Sequence, residues 1–378
     1  MPSIDWAIGY GMVLATAPND GTVDASPDLQ RNIDQLPSGG RVVIPDGTYL
    51  LKTPLRLSAN TWLQGAGKGT TVLKAHSAIA ASMIRNANWT TGGETHITVS
   101  DMQLDGSAQT SGAGIEFRNV SKSVIENVVI DDAFNAGIYW WSGSIGGASN
   151  DYNRIENVHL DTCRQTGGTA LGMSTLGKWH RGVVRNSYFT GAAAAGGLTM
   201  DTCTYNVVEN SYAFSNVAFG FETEGASGVS NNNKFIGCYA YSNTLTGTTG
   251  HGFVLAQNAA YTELIGCHAF SNARHGIRLQ GTTNCTISGC VSYNNSQNTG
   301  GNADGIVLVD ETTGCLRNVI VGNHCYDDQG SPTQRTGINE TQNGNRNIIA
   351  NNIVLNNTSS QVVTVGAETV VTGANITA

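Results

Sequence analysis

Three carboxylates stand at alternate positions of two short segments that each begin with a glycine. Asp201 ends segment 197–201, and Glu222 and Glu224 lie in segment 220–224. Alternate side chains of a β-strand share a face, so the three acids should lie together on one sheet. Crowded carboxylates raise the pKa of at least one of them, and a protonated acid beside an ionised one is what glycosidic hydrolysis requires. A solvated acidic face and a calcium site are the alternative interpretations.

The two segments belong to a degenerate repeat that recurs about nine times between residues 97 and 358. Each unit combines a run such as Asn-x-Ile-x-Asn with a later Gly-Ile-x-Leu, and successive units are 23 to 33 residues apart. Short runs within each unit alternate apolar and polar residues, which is typical of strands. A coil that cannot bury its apolar face alone must stack on its neighbours. The repeat predicts an all-β fold, a right-handed single-stranded parallel β-helix.

Composition agrees with this fold and excludes several functions. The 47 glycines and 13% charged residues favour short strands and tight turns over helices. A net charge of −8 and a pI near 5.4 argue against nucleic-acid binding. The eight cysteines include no pair with the spacing of a zinc site, so we expect no structural metal, while disulfides remain open. No apolar stretch is long enough to cross a membrane, and no secretion signal is recognisable.

Stacking also predicts columns of like side chains. Five aromatic residues share one register, and each precedes a polar turn residue by two positions, so rings and side-chain amides should both stack along the axis. The predicted aromatic column, which we assign to the core, is Phe214, Tyr241, Phe270, Tyr293 and Tyr326, and the polar column is Asn216, Asn243, Asn272, Asn295 and Asp328. Cys238, Cys267 and Cys290 share another register and predict a ladder of small buried thiols.

The N-terminal region carries a family resemblance. Segment 26–36 predicts a short capping helix with Ser26 as N-cap and Pro27 at the first helical position. Segments 39–49 and 61–67, which contain Gly-Gly-x-Val-x-Ile-Pro-x-Gly-x-Tyr and Leu-x-Gly-x-Gly, resemble the start of the pectate-lyase-like β-helix superfamily. That superfamily includes polygalacturonases, mannuronan C5-epimerases, polysaccharide lyases and phage tailspike depolymerases. The resemblance implies the fold strongly and the reaction weakly.

Further residues on the predicted outward face are candidates for substrate binding. Aromatic side chains there suit stacking against sugar rings, although a Gly/Ser-rich loop after Trp141 could cover that residue. These candidates are Glu116, Arg118, Tyr139, Trp141, Thr199, Arg278 and Gln280. Lys178, His180 and Arg181 form a basic cluster beside a tryptophan, which could bind substrate or form an ordinary solvated turn.

Two local resemblances imply roles within the superfamily. Segment 250–255 resembles the Gly-His-Gly strand of polygalacturonases, which would make His251 a residue that orients a catalytic acid. The next coil resembles their Arg-Ile-Lys strand, so Arg278 would bind a sugar carboxylate, but Gln280 replaces the lysine. Segment 219–224 is similar to the catalytic strand of mannuronan C5-epimerases, where Glu222 would match an aspartate and Glu224 replaces a histidine. His275, in a turn that also resembles those enzymes, is assigned a structural role.

The sequence therefore predicts a carbohydrate-active enzyme that cleaves an extended glycan, preferably by hydrolysis at Asp201, Glu222 and Glu224. A lyase or C5-epimerase acting on a uronate polymer is one alternative, and a non-catalytic glycan-binding or tailspike-like protein is the other. We expect a single domain over 1–378, with a cap over about 1–40, coils over 41–358 and a C-terminal end over 359–378. We expect no cofactor apart from the open calcium site, a neutral or weakly charged substrate, and an extracellular or virion-associated location. A homotrimer remains open.

Overall fold

The computed structural model describes residues 11–142, 150–163, 179–193, 196–225, 228–244, 249–298, 301–309, 314–373 and 376–377. The chain divides into two compact units, Met1–Arg164 and Gln165–Ala378. Nearly all regular structure in both units is parallel β-strand, and the described residues contain one helix, Ser26–Asp34. The predicted fold class, a right-handed parallel β-helix, is confirmed.

The first unit is built from short parallel strands. Its strands are Gly11–Leu14, Asp20–Asp24, Gly40–Val43, Gly47–Leu51, Leu55–Leu57, Thr61–Gln64, Thr71–Ala75, Ile84–Asn86, Thr98–Asp105, Ile115–Arg118, Val124–Asp131, Ile138–Trp141, Asn150–Asp151, Arg154–Glu156 and His159–Asp161. Four of them form a separate sheet in the order Leu55–Leu57, Ile84–Asn86, Ile115–Arg118 and Ile138–Trp141. Side chains along these strands alternate between buried and partly exposed positions, as the pleat requires.

The second unit repeats the same plan with three strand positions per coil. Its strands are Trp179–His180, Val183–Arg185, Tyr188–Thr190, Leu198–Asp201, Val207–Glu209, Tyr212–Phe214, Phe219–Glu224, Ser230–Asn231, Lys234–Ile236, Tyr239–Tyr241, His251–Ala256, Ala259–Ala260, Glu263–Ile265, His268–Phe270, Ile277–Gln280, Thr286–Ser288, Val291–Tyr293, Ile306–Val309, Val319–Val321, His324–Tyr326, Thr336–Glu340, Ile348–Ala350, Ile353–Leu355, Ser360–Val363, Val370–Thr372 and Ile376–Thr377. Seven strands, one from each of seven coils, form the sheet that carries the candidate site.

The asparagines of the repeat make the corners between strands. Asn157, with a φ of 51°, lies between two short strands of the first unit, and Asn210, with a φ of 47°, does the same in the second. On the next coil, Gly237 occupies this position with a φ of 58°. Asparagine and glycine adopt this left-handed conformation at the least steric cost. The Asn or Gly of each repeat therefore turns the chain at a fixed place and keeps successive coils in register.

Buried asparagine side chains form a hydrogen-bonded ladder in the second unit. Asn216 donates through Nδ2 to Oδ1 of Asn243 at 3.1 Å, Asn243 to Asn272 at 2.9 Å, and Asn272 to Asn295 at 3.0 Å. Each Nδ2 also donates to a backbone carbonyl, and each Oδ1 accepts the backbone N–H of the preceding asparagine. The ladder satisfies polar groups that would otherwise be buried without partners.

The last position of the predicted polar column is wrong. Asn295 donates to Oε1 of Gln334 at 3.0 Å, so Gln334 continues the ladder. Asp328 bonds to the side chain of Asn294 at the surface. The cause is a longer turn on this coil, in which Asp327 accepts backbone N–H groups from Thr333 and Gln334 and delays the return of the chain.

The predicted aromatic column exists but lies outside the core. Neighbouring rings from Phe214 to Tyr326 have centroids 4.8–5.0 Å apart and are nearly parallel. The rings are half-buried, because the pleat turns the intervening alanines such as Ala213 and Ala240 inward instead. The three cysteines of the predicted thiol ladder are buried, and all eight cysteines of the chain are free.

The N-terminal helix starts differently from the prediction. Ala25 is the N-cap, and Ser26 is the first helical residue. The Ser26 hydroxyl donates to Asp24 at 2.7 Å and accepts the backbone N–H of Lys52 at 2.9 Å, so it ties the helix to the first coils rather than capping it. Leu29 and Ile33 are the buried apolar residues of the helix. No helix in the described part of the chain is long and apolar enough to span a membrane.

Removing one rung of the asparagine ladder should destabilise the protein strongly. We expect Asn243→Ala to lower the free energy of unfolding by about 3 kcal/mol, because it removes the side-chain partner of the buried Asn216 N–H and of the Ala213 carbonyl and breaks one hydrogen bond of each neighbouring amide. Urea unfolding of this variant beside Asn298→Ala, which alters an exposed asparagine, measures the difference. Equal stability of the two variants would contradict a structural role for the ladder.

Candidate functional site

The candidate site lies on the seven-stranded sheet of the second unit. Its strands, in spatial order, are Leu198–Asp201, Phe219–Glu224, His251–Ala256, Ile277–Gln280, Ile306–Val309, Thr336–Glu340 and Ser360–Val363. All neighbouring pairs are parallel. In-register stacking places residues from equivalent repeat positions in rows across the sheet.

The first two strands bring the three predicted carboxylates together. Asp201 is the register partner of Glu224, and Thr199 is the partner of Glu222. Partner residues on neighbouring strands lie about 4.8 Å apart, and Glu222 and Glu224 are separated by about 7 Å along one strand. We call Asp201, Glu222 and Glu224 the carboxylate cluster. Asp201 is buried, whereas both glutamates are half-buried.

Burial and neighbouring charges raise the pKa of two of the three acids, Glu222 and Glu224. Burial raises the pKa of Glu222 to about 8, and the neighbouring charges of Glu224 and Asp201 add to the rise, against the opposing effects of Arg278 and a hydrogen bond from Thr199. Burial also raises the pKa of Glu224, with a further contribution from Asp201. Asp201 accepts a hydrogen bond from the Thr202 hydroxyl at 2.8 Å. Near neutral pH, Glu222 therefore holds a proton.

Arg278 provides a positive charge on the same face. It lies in the row Glu222–Val254–Arg278, two strands from Glu222. The intervening Val254 is short and buried, so it does not separate the arginine from the carboxylate with a bulky side chain. Gln280 lies beside Ala256 in the next row and is buried.

Two buried histidines follow at the start of the adjacent strands. The rings of His251 and His275 are stacked, with centroids 5.3 Å apart and planes 4° apart. Burial lowers the pKa of His275 to about 3 and lowers the pKa of His251 well below its usual range, with help from nearby cations including Arg278. Nδ1 of His275 accepts the backbone N–H of Asp304 at 2.9 Å, so its proton is on Nε2. Both imidazoles are neutral.

Asp304 anchors the far end of this buried row. Its carboxylate is fully buried and receives two hydrogen bonds from Arg335, at 2.8 Å and 2.7 Å. The Asn339 amide donates at 3.0 Å and the backbone of Thr336 at 3.2 Å. The bidentate pair keeps a buried charge satisfied, and its neighbour His275 is held in a fixed tautomer.

The predicted binding residues of the first unit form a group of their own. Arg118 lies 3.8 Å from the ring centroid of Trp141, and the rings of Trp141 and Tyr139 are 5.9 Å apart. Glu116 accepts hydrogen bonds from the Ser82 hydroxyl at 2.5 Å and from the Trp141 indole at 3.5 Å. These four residues share one face of the four-stranded sheet, as the repeat predicts.

The basic cluster is only partly described. Lys178 lies outside the described residues. His180 is half-buried and stacks on Tyr205, with centroids 5.4 Å apart, and Arg181 is an exposed turn residue with a φ of 57°. Among the described residues, no group of three His, Cys, Asp or Glu side chains is arranged to hold a metal ion. The calcium interpretation therefore gains no support from the geometry.

Comparison with known families decides the classification. The sequence profile described as rhamnogalacturonase A/epimerase, pectate lyase-like, matches residues 15–242, and that of the right-handed β-helix region matches residues 182–328. The chain belongs to the rhamnogalacturonase A/epimerase, pectate-lyase-like family. The superfamily resemblance predicted from segments 39–49 and 61–67 is confirmed.

Curated relatives of this chain come from phages. The preneck appendage protein of Bacillus phage PZA and the pre-neck appendage protein of Bacillus phage phi29 are each 30% identical to it over 192 residues. These matches cover 46% of this chain and 22% of each relative. The match thus spans about a fifth of the length of the curated relatives.

Solved structures share the fold of this pectate-lyase-like chain. The A-module of a mannuronan C-5 epimerase from Azotobacter vinelandii has a TM-score of 0.68 at 17% identity and covers 97% of this chain and 99% of its own. The N-terminal fragment of bacteriophage phi29 gene product 12 has a TM-score of 0.72 at 16% identity, covering 95% of this chain and 65% of its own. The Dettilon tailspike protein has a TM-score of 0.73 at 15% identity, covering 95% and 71%. At these identities the likeness concerns the fold alone.

Sequence reasoning missed two groups of residues in this protein. Asp304 and Arg335 were not among the predicted site residues, although Asp304 directly precedes the Gly305 of its repeat, in the row of His251 and His275. In the first unit, Trp89 was also missed, and it lies 4.3 Å from Arg118. Trp89 follows the strand Ile84–Asn86 rather than lying within it, so strand periodicity could not place it.

The raised pKa of Glu222 should appear in the stability of the protein. The folded state keeps the Glu222 proton up to about pH 8, whereas the unfolded chain releases it near the ordinary value of 4.5. Stability due to this group is therefore present below that ordinary value and is lost as pH rises through the folded value. Relative to Glu222→Gln, the parent should lose at most ~1.4 kcal/mol per pH unit within this window.

Urea unfolding of the parent and the Glu222→Gln variant at a series of pH values measures this difference. Glu209→Gln, which changes a half-buried glutamate on a different sheet, is the matched control and should follow the parent. A gap between the parent and Glu222→Gln that stays constant with pH would refute the assignment of a protonated Glu222.

Proposed function

We propose that the protein is a carbohydrate-active enzyme that hydrolyses an extended glycan at the carboxylate cluster. The observation that carries the proposal is the register of the first two sheet strands, which puts three carboxylates on one face in unlike environments. Half-buried Glu222 and Glu224 are accessible to a ligand lying along the sheet. Membership of a family that contains rhamnogalacturonase and epimerase members supports a glycan as the substrate.

In this mechanism Glu222 is the general acid. Its raised pKa keeps a proton available near neutral pH, and the proton passes to the glycosidic oxygen as the bond to the leaving group breaks. Glu224, which has Asp201 as its register partner, acts in its ionised form as the carboxylate that activates water or attacks the sugar. The Thr199 hydroxyl bonds to Glu222 and orients it for this transfer. Arg278, which is half-buried, then faces the neighbouring sugar position, whereas Gln280 is buried and has no direct contact with the sugar in this conformation.

The charge of the cluster favours a neutral or weakly charged sugar at the point of cleavage. The acids of this patch that are ionised repel a carboxylate on the substrate, and Arg278 offsets only part of their charge. This preference for a neutral sugar applies only to the strands that carry the carboxylate cluster.

A second candidate reaction is β-elimination or C5-epimerisation of a uronate. Arg278 favours it, because a cation near the reacting carbon neutralises the uronate carboxylate and makes the adjacent proton easier to remove. The mannuronan C-5 epimerase with the same fold is consistent with this chemistry. His251, whose pKa is lowered in part by Arg278, would be the candidate base, and it would have to become accessible, since it is buried and neutral in this conformation.

The phage relatives suggest where the protein works. We infer a virion-associated protein that binds or cleaves a glycan of the cell surface. The curated relatives are appendage proteins of phages, and a tailspike shares the fold. A non-catalytic appendage would bind glycan without shortening it, which the next experiment distinguishes.

Digestion of a glycan panel tests the reaction. Hydrolysis should release reducing ends without the ultraviolet absorbance of unsaturated products, and the rate should fall as pH rises above about 8 because the acid becomes ionised. Glu222→Gln should lower kcat by about 100-fold or more, whereas Glu209→Gln on another sheet should match the parent. Absorbance by the products would instead establish a lyase, and retention of glycan without new ends would establish a binding protein.

A further inference from the structure

The four-stranded sheet of the first unit presents a concentration of arginines on a chain with a net charge of −8. Arg56, Arg85, Glu116 and Tyr139 form one row across its strands, since each is the register partner of the next. Arg118 and Trp141 are partners in the following row. The repulsion between Arg56 and Arg85 contributes to a lowered pKa of Arg85, after the larger effect of burial.

Two tryptophans hold the arginines in place. The guanidinium carbon of Arg118 lies 4.3 Å from the ring centroid of Trp89 and 3.8 Å from that of Trp141, so the cation is clamped between two rings. Arg85 lies 5.3 Å from Trp89 on the same side. Cation–π contacts fix the plane of a guanidinium while leaving its N–H groups to bind other partners. We call Arg56, Arg85, Trp89, Arg118 and Trp141 the arginine–tryptophan face.

Hydrogen-bonding capacity on this face is unused. Among the described residues, Nε of Arg85, Nε of Arg118 and Nε1 of Trp89 are buried and have no hydrogen-bond partner. Glu116 is the one carboxylate in the row, and its oxygens are engaged by Ser82 and Trp141. Buried donors without partners are costly, and a rotation of these side chains that brings the N–H groups to an acceptor on a ligand removes that cost.

A second arginine–tryptophan pair in the same unit shows a different arrangement. Arg41 lies 4.6 Å from the ring centroid of Trp62, and its Nε donates to Oε1 of Gln64 at 2.6 Å. The Trp62 indole donates to the Ser100 hydroxyl at 2.9 Å. In this pair the corresponding N–H groups are satisfied within the protein, which is what a purely structural contact requires.

We propose that the arginine–tryptophan face binds a glycan that carries an anionic group, a carboxylate or a phosphate. The guanidinium groups of Arg85 and Arg118 receive the anion, and the accessible part of the half-buried Trp89 or Trp141 indole packs against the sugar ring. This site does not depend on hydrolysis at the carboxylate cluster. The arginine–tryptophan face of the first unit recognises a charged group, whereas the strands of the carboxylate cluster prefer a neutral sugar.

Titration with matched oligosaccharides tests the site. The probes are a galacturonate oligosaccharide, its methyl ester of equal length, and a glycerol-phosphate oligomer, each followed by calorimetry and by tryptophan fluorescence. At least one anionic probe should bind, and the methyl ester should bind about tenfold or more weakly than the galacturonate if a carboxylate is recognised. Binding of the glycerol-phosphate oligomer alone would identify phosphate as the anion. Raising the salt concentration should weaken the binding.

Variants assign the binding to this face. Arg85→Gln and Arg118→Gln should each weaken binding of the anionic probe about tenfold or more, and Arg118→Lys, which keeps the charge, should recover only part of it. Arg41→Gln is the matched control and should leave binding unchanged, with circular dichroism confirming the fold of every variant. Absence of binding by both anionic probes, equal binding of the methyl ester, or equal loss in Arg41→Gln would overturn the proposal.

Glu222→Gln separates this inference from the proposed hydrolysis. The variant should bind the anionic probe as the parent does, because the substitution lies on a sheet of the second unit. Probe binding by a parent protein that cleaves no glycan would overturn the hydrolysis and leave the arginine–tryptophan face standing. Cleavage of a neutral glycan without binding of either anionic probe would overturn the arginine–tryptophan face as a binding site and leave the hydrolysis standing.

Discussion

Parallel, in-register stacking of the coils is the constraint on which the rest of the structure depends. Every strand finds its hydrogen-bond partners on the coil before and the coil after, so one slipped residue would turn each apolar side chain toward solvent. Residues such as Asn210 and Gly237 in the left-handed conformation set the corner of each coil. The asparagine ladder from Asn216 to Asn295 satisfies the buried polar groups beside another corner. These two devices make the register unique.

The same stacking creates the chemistry of the candidate site. A parallel sheet brings equivalent residues of successive coils to a spacing of about 4.8 Å, whatever their charge. Like side chains therefore become neighbours: thiols and rings stack favourably, whereas carboxylates repel. The repulsion among Asp201, Glu222 and Glu224 is tolerated because Glu222 can take up a proton, and burial strengthens that tendency. The raised pKa of Glu222 is thus due first to burial, and the placement of acids at neighbouring repeat positions adds to it.

Much of this arrangement could be predicted from the sequence, because the repeat specifies both register and pleat. The pairing of Asp201 with Glu224 and the inward direction of Trp140 follow from alternation alone. The prediction failed at a long turn: Gln334, and not Asp328, continues the polar column. Trp89 lies beyond the end of its strand, where alternation gives no direction. Burial of His251 depends on what packs above the strand, which periodicity does not specify.

Small residues between the charged positions determine how the site can act. Val254 and Ala256 occupy the strand between the glutamates and the next coil, and both are buried. A long side chain at Val254 would stand between Glu222 and Arg278, weakening the charge attraction that, with the Thr199 hydrogen bond, opposes the raised pKa of Glu222. The pKa of Glu222 therefore depends partly on Val254, an apolar residue that takes no part in proton transfer. Homologous coils with the same acids and a bulkier residue at that position would present an acid of higher pKa and a more isolated arginine.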